Sequence, residues 1–381
     1  MERRLKLRLR HVQPVPASLR ARPETDLPAE WVSVHLGQLY QHYYFDCYPG
    51  GPPIPDLSRF EYLQHLAATT EFRFLDHIDG ASTTKKRGLS TDLGQAFCRW
   101  ALDTHFGIPY FAHLNTVIDR PLSTFGGMRL SRSAKGDLPD YLCARKVTDP
   151  MVAEAKGRFS AIAFANAEFQ TWRKQFKRIE IRSGAGKCLS LKGFIVATRF
   201  ATADRSRTYP ALYIEDPHTP GEEAGPDEDL TELGRVIVAV HYGRVFRKLQ
   251  LDLLAASLEG YGSTPNELTF QVPVWTCIGA PFVNQEFVGG FYRTRPGHMP
   301  RLIESGWELP MELGAGHGVF VGLKRDIAVQ VAAAARGSLE TLDNLQPLLP
   351  EGLWGSEFSW LRDGTVVAPM TYFAPTGVQV L

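Results

Sequence analysis

Alternation of apolar and polar residues predicts an ordered series of helices and strands in the middle of the chain. The segment 90–107 carries apolar residues at helical spacing on one face, at Leu93, Ala96, Phe97, Trp100 and Ala101. Ser90 is suited to cap the start of this helix, and Gly107 is suited to end it. The predicted elements after it are a strand at 108–118, strand segments at 137–146 and 151–158, an amphipathic helix at 163–179 and an apolar strand at 191–201. The order is therefore helix, three strands, helix and strand, and the last strand is apolar on both faces, as in the centre of a sheet.

The N-terminal region shows two further patterns. Residues 3–12, RRLKLRLRHV, alternate leucines with basic residues, which is typical of an edge strand with one basic face. That face either contacts phosphates or uses its charge to prevent aggregation at the sheet edge. A Pro-containing linker at 13–30 precedes an aromatic segment at 36–53, in which Tyr40, Tyr43, Tyr44 and Phe45 either stack on bases or belong to the core.

The C-terminal region is predicted to mix strands and helices. Strands are expected at 208–217 and 235–243, and the acidic Pro/Gly segment between them, 218–232, is typical of a solvated loop. The remaining predictions are helices at 244–258 and 325–337 and strands at 267–279, 317–323 and 365–373. We therefore divide the chain into an N-terminal region (1–80), a core (81–217), an acidic loop (218–234) and a C-terminal α+β region (235–381).

Composition narrows the class of protein without identifying it. The chain has 381 residues, of which 44% are hydrophobic and 22% charged, as expected of a globular protein with a large core. A net charge of +1 excludes overall attraction to a polyanion, so nucleic acid would need a local basic patch. Five scattered cysteines without a C-x-x-C pair do not suggest a thiolate metal site. The charged start lacks a signal-peptide core and no segment is apolar enough to span a membrane, so we expect a cytoplasmic, soluble protein.

The segment 139–158, PDYLCARKVTDPMVAEAKGR, carries the candidate chemistry. Because side chains alternate along a strand, Glu154 and Lys156 point to the same face, and Asp140 comes alongside Glu154 if the two strands pair. Buried carboxylates are tolerable only when they share a cation. Oxygen ligands of this kind suit Mg²⁺ or Mn²⁺, which generate a hydroxide-like nucleophile from water. The pattern therefore predicts a site for phosphodiester hydrolysis, in which Lys156 orients the water or neutralises developing charge.

Pro139-Asp140, followed after thirteen residues by Glu154-Ala155-Lys156, resembles the PD-(D/E)xK signature of the restriction-endonuclease-like nucleases. The resemblance covers about residues 85–205. It implies an α/β fold with a restriction-endonuclease-like α-β-β-β-α-β core and a mixed central sheet. The flanks, which the resemblance does not explain, are expected to add N-terminal and C-terminal α+β extensions. It further implies that Asp140, Glu154 and the Ala155 carbonyl bind the metal and that Lys156 is the catalytic lysine.

Many members of that superfamily add an acid, usually glutamate, from the first core helix. Asp92 takes this place here and is one methylene shorter, so we include it among the expected metal and catalytic residues. Gln95 and Asp103 lie on the same polar side of the predicted helix.

Basic residues near the predicted site suggest a nucleic-acid surface. Arg173, Lys174, Lys177 and Arg178 form the polar face of the second predicted helix, which either lines a nucleic-acid groove or is simply solvated. Arg199, on the last core strand, is a candidate phosphate contact.

The expected function is a Mg²⁺- or Mn²⁺-dependent nuclease that acts on DNA in preference to RNA, most simply an endonuclease. By analogy with the superfamily, its setting would be prokaryotic genome defence, and its targeting would come from the flanking regions, homo-oligomerisation or a protein partner. The alternatives are a degenerate nuclease fold that binds nucleic acid or serves as a scaffold, a ribonuclease with the same site, and a coincidental surface pair.

Overall fold

The structure is a computed structural model with side chains. It describes residues 1–47, 65–76, 82–118, 121–122, 127–223, 228–279, 282–293, 301–303, 319–348 and 358–381. The chain forms two compact units: the first comprises Met1–Tyr43 and Phe60–Ile237, and the second comprises Tyr44–Arg59 and Val238–Leu381.

The first unit combines helices with short and long strands. Its helices are α1 (Leu36–Cys47, which continues into the second unit), α2 (Thr83–Phe106), α3 (Leu114–Val117), α4 (Ala167–Gln175) and the start of α5 (Glu228–Lys248). Its strands are β1 (Glu2–Arg10), β2 (Trp31–His35), β3 (Arg73–Phe74), β4 (Tyr110–His113), β5 (Pro121–Leu122), β6 (Met128–Arg132), β7 (Tyr141–Ala144), β8 (Pro150–Arg158), β9 (Ile179–Arg182), β10 (Cys188–Leu189), β11 (Lys192–Arg199), β12 (Ala201–Thr202) and β13 (Ala211–Glu215).

A seven-stranded mixed sheet organises this unit. Its order is β2-β1-β13-β11-β8-β7-β4, in which β8 is parallel to β11, β1 is parallel to β13, and the other neighbours are antiparallel. The predicted series of helix, three strands, helix and strand appears as α2, β4, β7, β8, α4 and β11, with short extra strands between them. The prediction of an α/β fold with a mixed central sheet is therefore confirmed.

Helices pack against both faces of the sheet. Phe169 and Trp172 of α4 lie in one core cluster with Ile195 and Ala197 of β11. On the other face, α2 approaches β8 so closely that a Cβ added to Gly157 would lie 1.8 Å from the Ser90 carbonyl oxygen. Backbone contact of this kind requires glycine, so Gly157 fixes the position of α2 on the sheet.

Predicted boundaries of α2 were correct at one end only. Gly107 ends the helix in the left-handed conformation, with φ of 66°. The helix begins earlier than predicted, at Thr83, where Ser82 accepts a hydrogen bond from the Lys85 amide at 3.3 Å. Ser90 lies inside the helix, and its hydroxyl donates to the Arg87 carbonyl. The capping preference of serine was therefore misleading at this position, since a mid-helix serine can satisfy its hydroxyl on the preceding turn.

Two expectations about the N-terminal region are settled by the structure. The strand β1 lies between β2 and β13, so the prediction of an edge strand was wrong. The aromatic residues Tyr40, Tyr43, Tyr44 and Phe45 belong to α1 and are all buried, which supports the core interpretation over base stacking. The last residues of this segment, 48–53, lie outside the described residues.

Shorter pairings complete the first unit. A second sheet has the order β10-β9-β6-β5, and β12 pairs with β3. The strand predicted at 108–118 is shorter than expected, because β4 ends at His113 and α3 follows directly. The helix predicted at 163–179 is represented by α4 and a following 3₁₀ turn at Phe176–Arg178.

Among the described residues, the second unit contains a β-sheet, the end of α1, the C-terminal part of α5 and two further helices. Beyond the end of α5, its elements are α6 (Asp252–Leu258), β14 (Gln271–Cys277), β15 (Glu286–Arg293), β16 (Arg301–Ile303), β17 (Val319–Lys324), α7 (Arg325–Ala335), β18 (Ser359–Trp360), β19 (Thr365–Pro369) and β20 (Phe373–Val380). The sheet order is β18-β19-β17-β15-β14-β20, with β16 paired to β15. Aromatic residues, including Trp275, Phe287, Phe320 and Phe373, form its core.

The strand predicted at 235–243 is wrong, because these residues lie within α5. The apolar run Val236–Val240 is buried at every position, and a fully buried helix cannot be distinguished from a buried strand by periodicity alone. The helix predicted at 244–258 is divided between α5 and α6, with Gln250 in the left-handed region between them. The predicted acidic loop contains a 3₁₀ turn at Pro220–Glu223 and the start of α5.

No helix among the described residues is both long enough and apolar enough to cross a membrane. Among the described residues, no disulfide bond involves Cys98, Cys143, Cys188 or Cys277. Burial raises the pKa of the Cys143 thiol far above its ordinary value, so this residue is an unreactive core side chain.

Candidate active site

Asp140 lies immediately before β7, where it is fixed by two hydrogen bonds. Its carbonyl accepts from the Leu114 amide at 3.0 Å, and its carboxylate Oδ2 accepts from the Ala155 amide at 2.9 Å. The register of β7 on β8 pairs Tyr141 with Ala153, so Asp140 comes opposite Glu154. Because β7 begins at Tyr141, the Ala155 amide donates to the Asp140 carboxylate in place of a strand backbone carbonyl. This bond holds the carboxylate against β8.

Glu154 and Lys156 lie on the face of the sheet that α4 covers. Their register partners on β11 are Ile195 and Ala197, which pack against α4. The Lys156 ammonium is ion-paired with Glu154 Oε1 and lies 3.7 Å from Asp140 Oδ2. One lysine thus contacts two carboxylates, as the alternation of the strand and the pairing of the hairpin predict.

Glu154 is a fully buried carboxylate with too few partners. Its exposed fraction is 0%, and no described residue donates a hydrogen bond of acceptable geometry to Oε2. Burial, together with repulsion from Asp140, raises the pKa of Glu154 well above its ordinary value despite the nearby lysine. The lysine therefore does not offset the cost of burying the Glu154 carboxylate beside Asp140.

Lys156 keeps its positive charge in this environment. Burial by itself would lower its pKa, but the carboxylates of Glu154 and Asp140 outweigh this effect and raise it. Since the ordinary pKa of lysine is already above 10, Lys156 is protonated at neutral pH. It can donate hydrogen bonds or neutralise charge, but it cannot act as a general base.

The donor atoms at the site fit a divalent cation in part. In a strand, the N–H and C=O of one residue point to the same side, so the Ala155 carbonyl faces the Asp140 side like its amide. Asp140, Glu154 and this carbonyl are oxygen donors of the kind that Mg²⁺ and Mn²⁺ prefer. Among the residues that the structure describes, however, no three His, Cys, Asp or Glu side chains form a group that could hold a metal.

The packing of α2 on the sheet gives no support to Asp92 as a third ligand. It lies on α2 two residues from both Ser90 and Gly94, which contact β8, and residues two apart on a helix point about 200° apart. The helix itself packs against Gly157, whose side-chain direction is opposite to those of Glu154 and Lys156. The assignment of Asp92 as a third ligand therefore stays a prediction without support from this geometry.

Two other polar residues, Asp103 and Gln95, belong to α2, which packs on the Gly157 face of the sheet. Asp103 is buried and lies 3.4 Å from His42 Nε2. Gln95, which is half-buried, follows the contact residue Gly94 directly, on the same α2 face of the sheet.

The basic residues predicted to bind nucleic acid have different surroundings. Arg173 donates to both oxygens of Glu215, at 3.0 and 2.8 Å. Arg178 donates to the Asp137 carbonyl, and Arg199 donates twice to the Tyr209 carbonyl. Lys174 and Lys177 are exposed and form no ion pair with any described residue. Of the predicted basic residues, these two lysines are therefore the most available to contact a ligand.

Glu215 is the charged residue of this face that sequence analysis missed. It is 1% exposed and ends β13, where its register partners are Ile195 on β11 and Arg10 on β1. Glu154, Ile195, Glu215 and Arg10 consequently form one row across the sheet, on the face that carries the candidate site. The alternation within ALYIE places Glu215 on the same face as Tyr213, which was the available signal.

Comparisons with known proteins give no assignment. No protein-family model matches the chain, and neither the curated proteins nor the solved structures include a match.

Proposed function

We propose that the protein is a metal-dependent nuclease whose site consists of Asp140, Glu154, the Ala155 carbonyl and Lys156. The observation that carries this proposal is the burial of the Glu154 carboxylate beside Asp140 without a donor to Oε2. Two adjacent carboxylates of this kind repel each other, and a divalent cation would remove the repulsion. The single lysine between them does not supply enough charge for both.

Mg²⁺ or Mn²⁺ at these oxygens would supply polarisation of a phosphoryl oxygen and a more acidic bound water. Within the protein, Asp140 and Glu154 provide the anionic donors, and the hydrogen bond from the Ala155 amide fixes the Asp140 carboxylate in place. Protonated Lys156 is suited to orient the attacking water or to stabilise charge on the phosphate in the transition state.

The order of the elements supports the proposal. Helix, three strands, helix and strand is the series expected of a restriction-endonuclease-like core, and Asp140, immediately before β7, lies opposite Glu154 on the neighbouring strand β8. We favour DNA as the substrate on the basis of the same resemblance.

A second candidate function is nucleic-acid binding without cleavage. The specific observation in its favour is that no third acidic side chain joins Asp140 and Glu154 among the described residues. Two carboxylates and a carbonyl would then bind a cation too weakly for catalysis.

A substrate panel separates these possibilities. The full-length protein is incubated with supercoiled plasmid, linear duplex, single-stranded DNA and RNA, in Mg²⁺, Mn²⁺ or EDTA. Metal-dependent cutting of DNA is expected, cutting confined to RNA would reassign the substrate, and binding without cutting would favour the second candidate. Asp149→Asn is a suitable control, because Asp149 lies in the turn between β7 and β8 and is ion-paired with the exposed Arg145.

A further inference from the structure

A cavity of about 600 Å³ lies on the sheet face that carries the candidate active site. Its volume is in the range of small-molecule binding pockets, about 300–1,000 Å³. Val152, which lines it, precedes Glu154 by two residues on β8 and points to the same face, about 7 Å away along the strand. Glu215, also in the lining, is two strands from Glu154 in the cross-sheet row, or about 10 Å. The cavity therefore borders the site.

Cations predominate over acids in the lining of this cavity. The charged lining residues are Arg10, Arg173, Lys177 and Glu215. Glu215 is almost fully buried and is contacted by both guanidiniums: Arg173 donates two hydrogen bonds to it, and Arg10 Nε lies 3.4 Å from its Oε1. One carboxylate cannot neutralise two guanidiniums and a nearby lysine, so the cavity retains a surplus of positive charge.

Both guanidiniums keep N–H groups for a ligand. Arg173 uses Nε and Nη2 for Glu215 and the Phe164 carbonyl, and Arg10 uses Nε and Nη1 for His11, Glu215 and the same carbonyl. Arg173 Nη1 and Arg10 Nη2 have no acceptor in the part of the chain that the structure describes. Because the shared bonds to Glu215 and Phe164 fix the two side chains, these donors are preorganised for an anion.

The remaining lining suits an aromatic or apolar body. Apolar residues form most of the wall, namely Val152, Phe176, Ile179, Ile181, Leu189 and Leu191. His11 and His218 bring two imidazole rings to the rim, with ring centroids 5.3 Å apart. His11 has φ of 59°, an uncommon conformation for a residue other than glycine and one often found at binding sites. Ring stacking and apolar contact are thus available beside the anion donors.

We propose that this cavity binds one nucleotide unit, with the phosphate on Arg10, Arg173 and Lys177 and the base against the apolar wall. The choice of a nucleotide over another phosphorylated compound rests on the proposed nuclease function. The nucleotide is either free or part of a bound strand whose scissile phosphate lies at Asp140 and Glu154. Both sources present the same chemistry to the cavity.

Binding by the full-length protein in EDTA tests the proposal without catalysis. The probes are a 2′-deoxynucleoside 5′-monophosphate, the unphosphorylated nucleoside, inorganic phosphate and a short 5′-phosphorylated single-stranded oligonucleotide. We expect the monophosphate to bind more tightly than the nucleoside or inorganic phosphate. An oligonucleotide that binds no more tightly than the monophosphate indicates a free nucleotide, and a tighter oligonucleotide indicates a strand.

Three variants that each remove one positive charge test whether the monophosphate binds in this cavity. Arg10→Gln and Lys177→Gln should each weaken monophosphate binding about tenfold. Lys174→Gln, on the same helical segment but outside the lining, should leave it unchanged, and thermal unfolding verifies that all three fold. We choose Arg10→Gln and not a change of Arg173, because Arg10→Gln keeps the two hydrogen bonds that Arg173 donates to the buried Glu215.

The proposal is overturned if no nucleotide probe binds, if inorganic phosphate binds as tightly as the monophosphate, or if Lys174→Gln weakens binding as much as the other two. Glu154→Gln should bind the monophosphate like the unmodified protein. In the unmodified protein, nucleotide binding without metal-dependent cutting would mean that the nuclease proposal has failed, and cutting without nucleotide binding would mean that the cavity proposal has failed.

Discussion

The Asp140 carboxylate accepts a hydrogen bond from the Ala155 amide, with 2.9 Å between Oδ2 and the nitrogen. This bond joins the residue before β7 to the middle of β8, and it holds Asp140 opposite the buried Glu154. Lys156, next along the strand, contacts both carboxylates. A short hairpin therefore sets the arrangement of all three charged groups.

Metal binding should be detectable as a gain in thermal stability. If a divalent ion occupies the site, Mg²⁺ or Mn²⁺ at about 100 times its dissociation constant stabilises the fold by about 2.7 kcal/mol. Glu154→Gln removes one anionic donor and also the repulsion from Asp140, so the metal-free variant should be at least as stable as the unmodified protein. Differential scanning fluorimetry with and without metal measures both effects. An equal metal-induced shift in Glu154→Gln would contradict the assignment, and Asp149→Asn should keep the full shift.

The close approach of α2 to β8 predicts opposite effects for two glycine changes in one helix. A Cβ at Gly94 would lie 2.6 Å from the Gly157 nitrogen, whereas nothing lies within 4 Å of a Cβ at Gly88. Gly94→Ala should therefore destabilise the protein by about 1–3 kcal/mol through overpacking. Gly88→Ala should stabilise it by up to about 1 kcal/mol through helix propensity. Urea denaturation of the two variants checks this, and the same sign of change in both would refute the packing account.

Arg173 is expected to contribute to stability through its contact with Glu215. Its guanidinium makes two hydrogen bonds to Glu215, which is 1% exposed. Arg173→Ala should cost about 3 kcal/mol, since among the described residues it leaves the buried carboxylate with only the longer contact from Arg10. The exposed neighbour Lys174, changed to alanine, should alter the free energy of unfolding by less than about 0.5 kcal/mol. Chemical denaturation compares the pair, and similar small losses in both would show that the Glu215 contact is unimportant.

The second unit should lose stability in acid through Asp363. Burial by itself raises the pKa of this carboxyl, but hydrogen bonds from His241 and Thr365 outweigh it, so the pKa lies below its ordinary value of 3.8. A carboxyl with a lowered folded pKa contributes stability above its unfolded pKa, and this contribution disappears as the pH falls through the folded pKa.

Asp363→Asn should consequently be less stable than the unmodified protein at pH 7 by about 2 kcal/mol, and the difference should shrink below about pH 4. Denaturation followed between pH 7 and pH 3 measures this. A constant difference across that range would contradict the assigned pKa direction.

The alternation of residues along the chain was sufficient to predict how Asp140, Glu154 and Lys156 lie relative to one another. Period-two alternation places Glu154 and Lys156 on one face, and a short turn returns Asp140 to Glu154, so neither relationship depends on distant contacts. The contact of Glu215 with Arg173 depends instead on the position of β13 beside β11, which periodicity does not reveal. The side of the sheet on which α2 packs, and hence the position of Asp92, is set by the approach of Gly94 to Gly157.

The predicted type of element was wrong where apolar residues follow one another without interruption. Val236–Val240 is rich in β-branched residues and favours a strand locally, but the segment lies in the middle of the helix α5. The hydrogen bonds of a long helix and burial on all sides outweighed that preference. The alternation of residues also could not show where β1 lies in its sheet. The alternating basic residues of β1 are compatible both with an edge strand and with an interior strand whose charged face is partly exposed.

The initial rate of plasmid cutting in Mg²⁺ tests the central claim most directly, with the unmodified protein, Asp140→Asn, Glu154→Gln and Asp149→Asn compared at equal concentration. The account predicts cutting by the unmodified protein and by Asp149→Asn, and a loss of at least about 100-fold in the other two variants. Equal rates in all four proteins, or cutting that persists in EDTA, would contradict it.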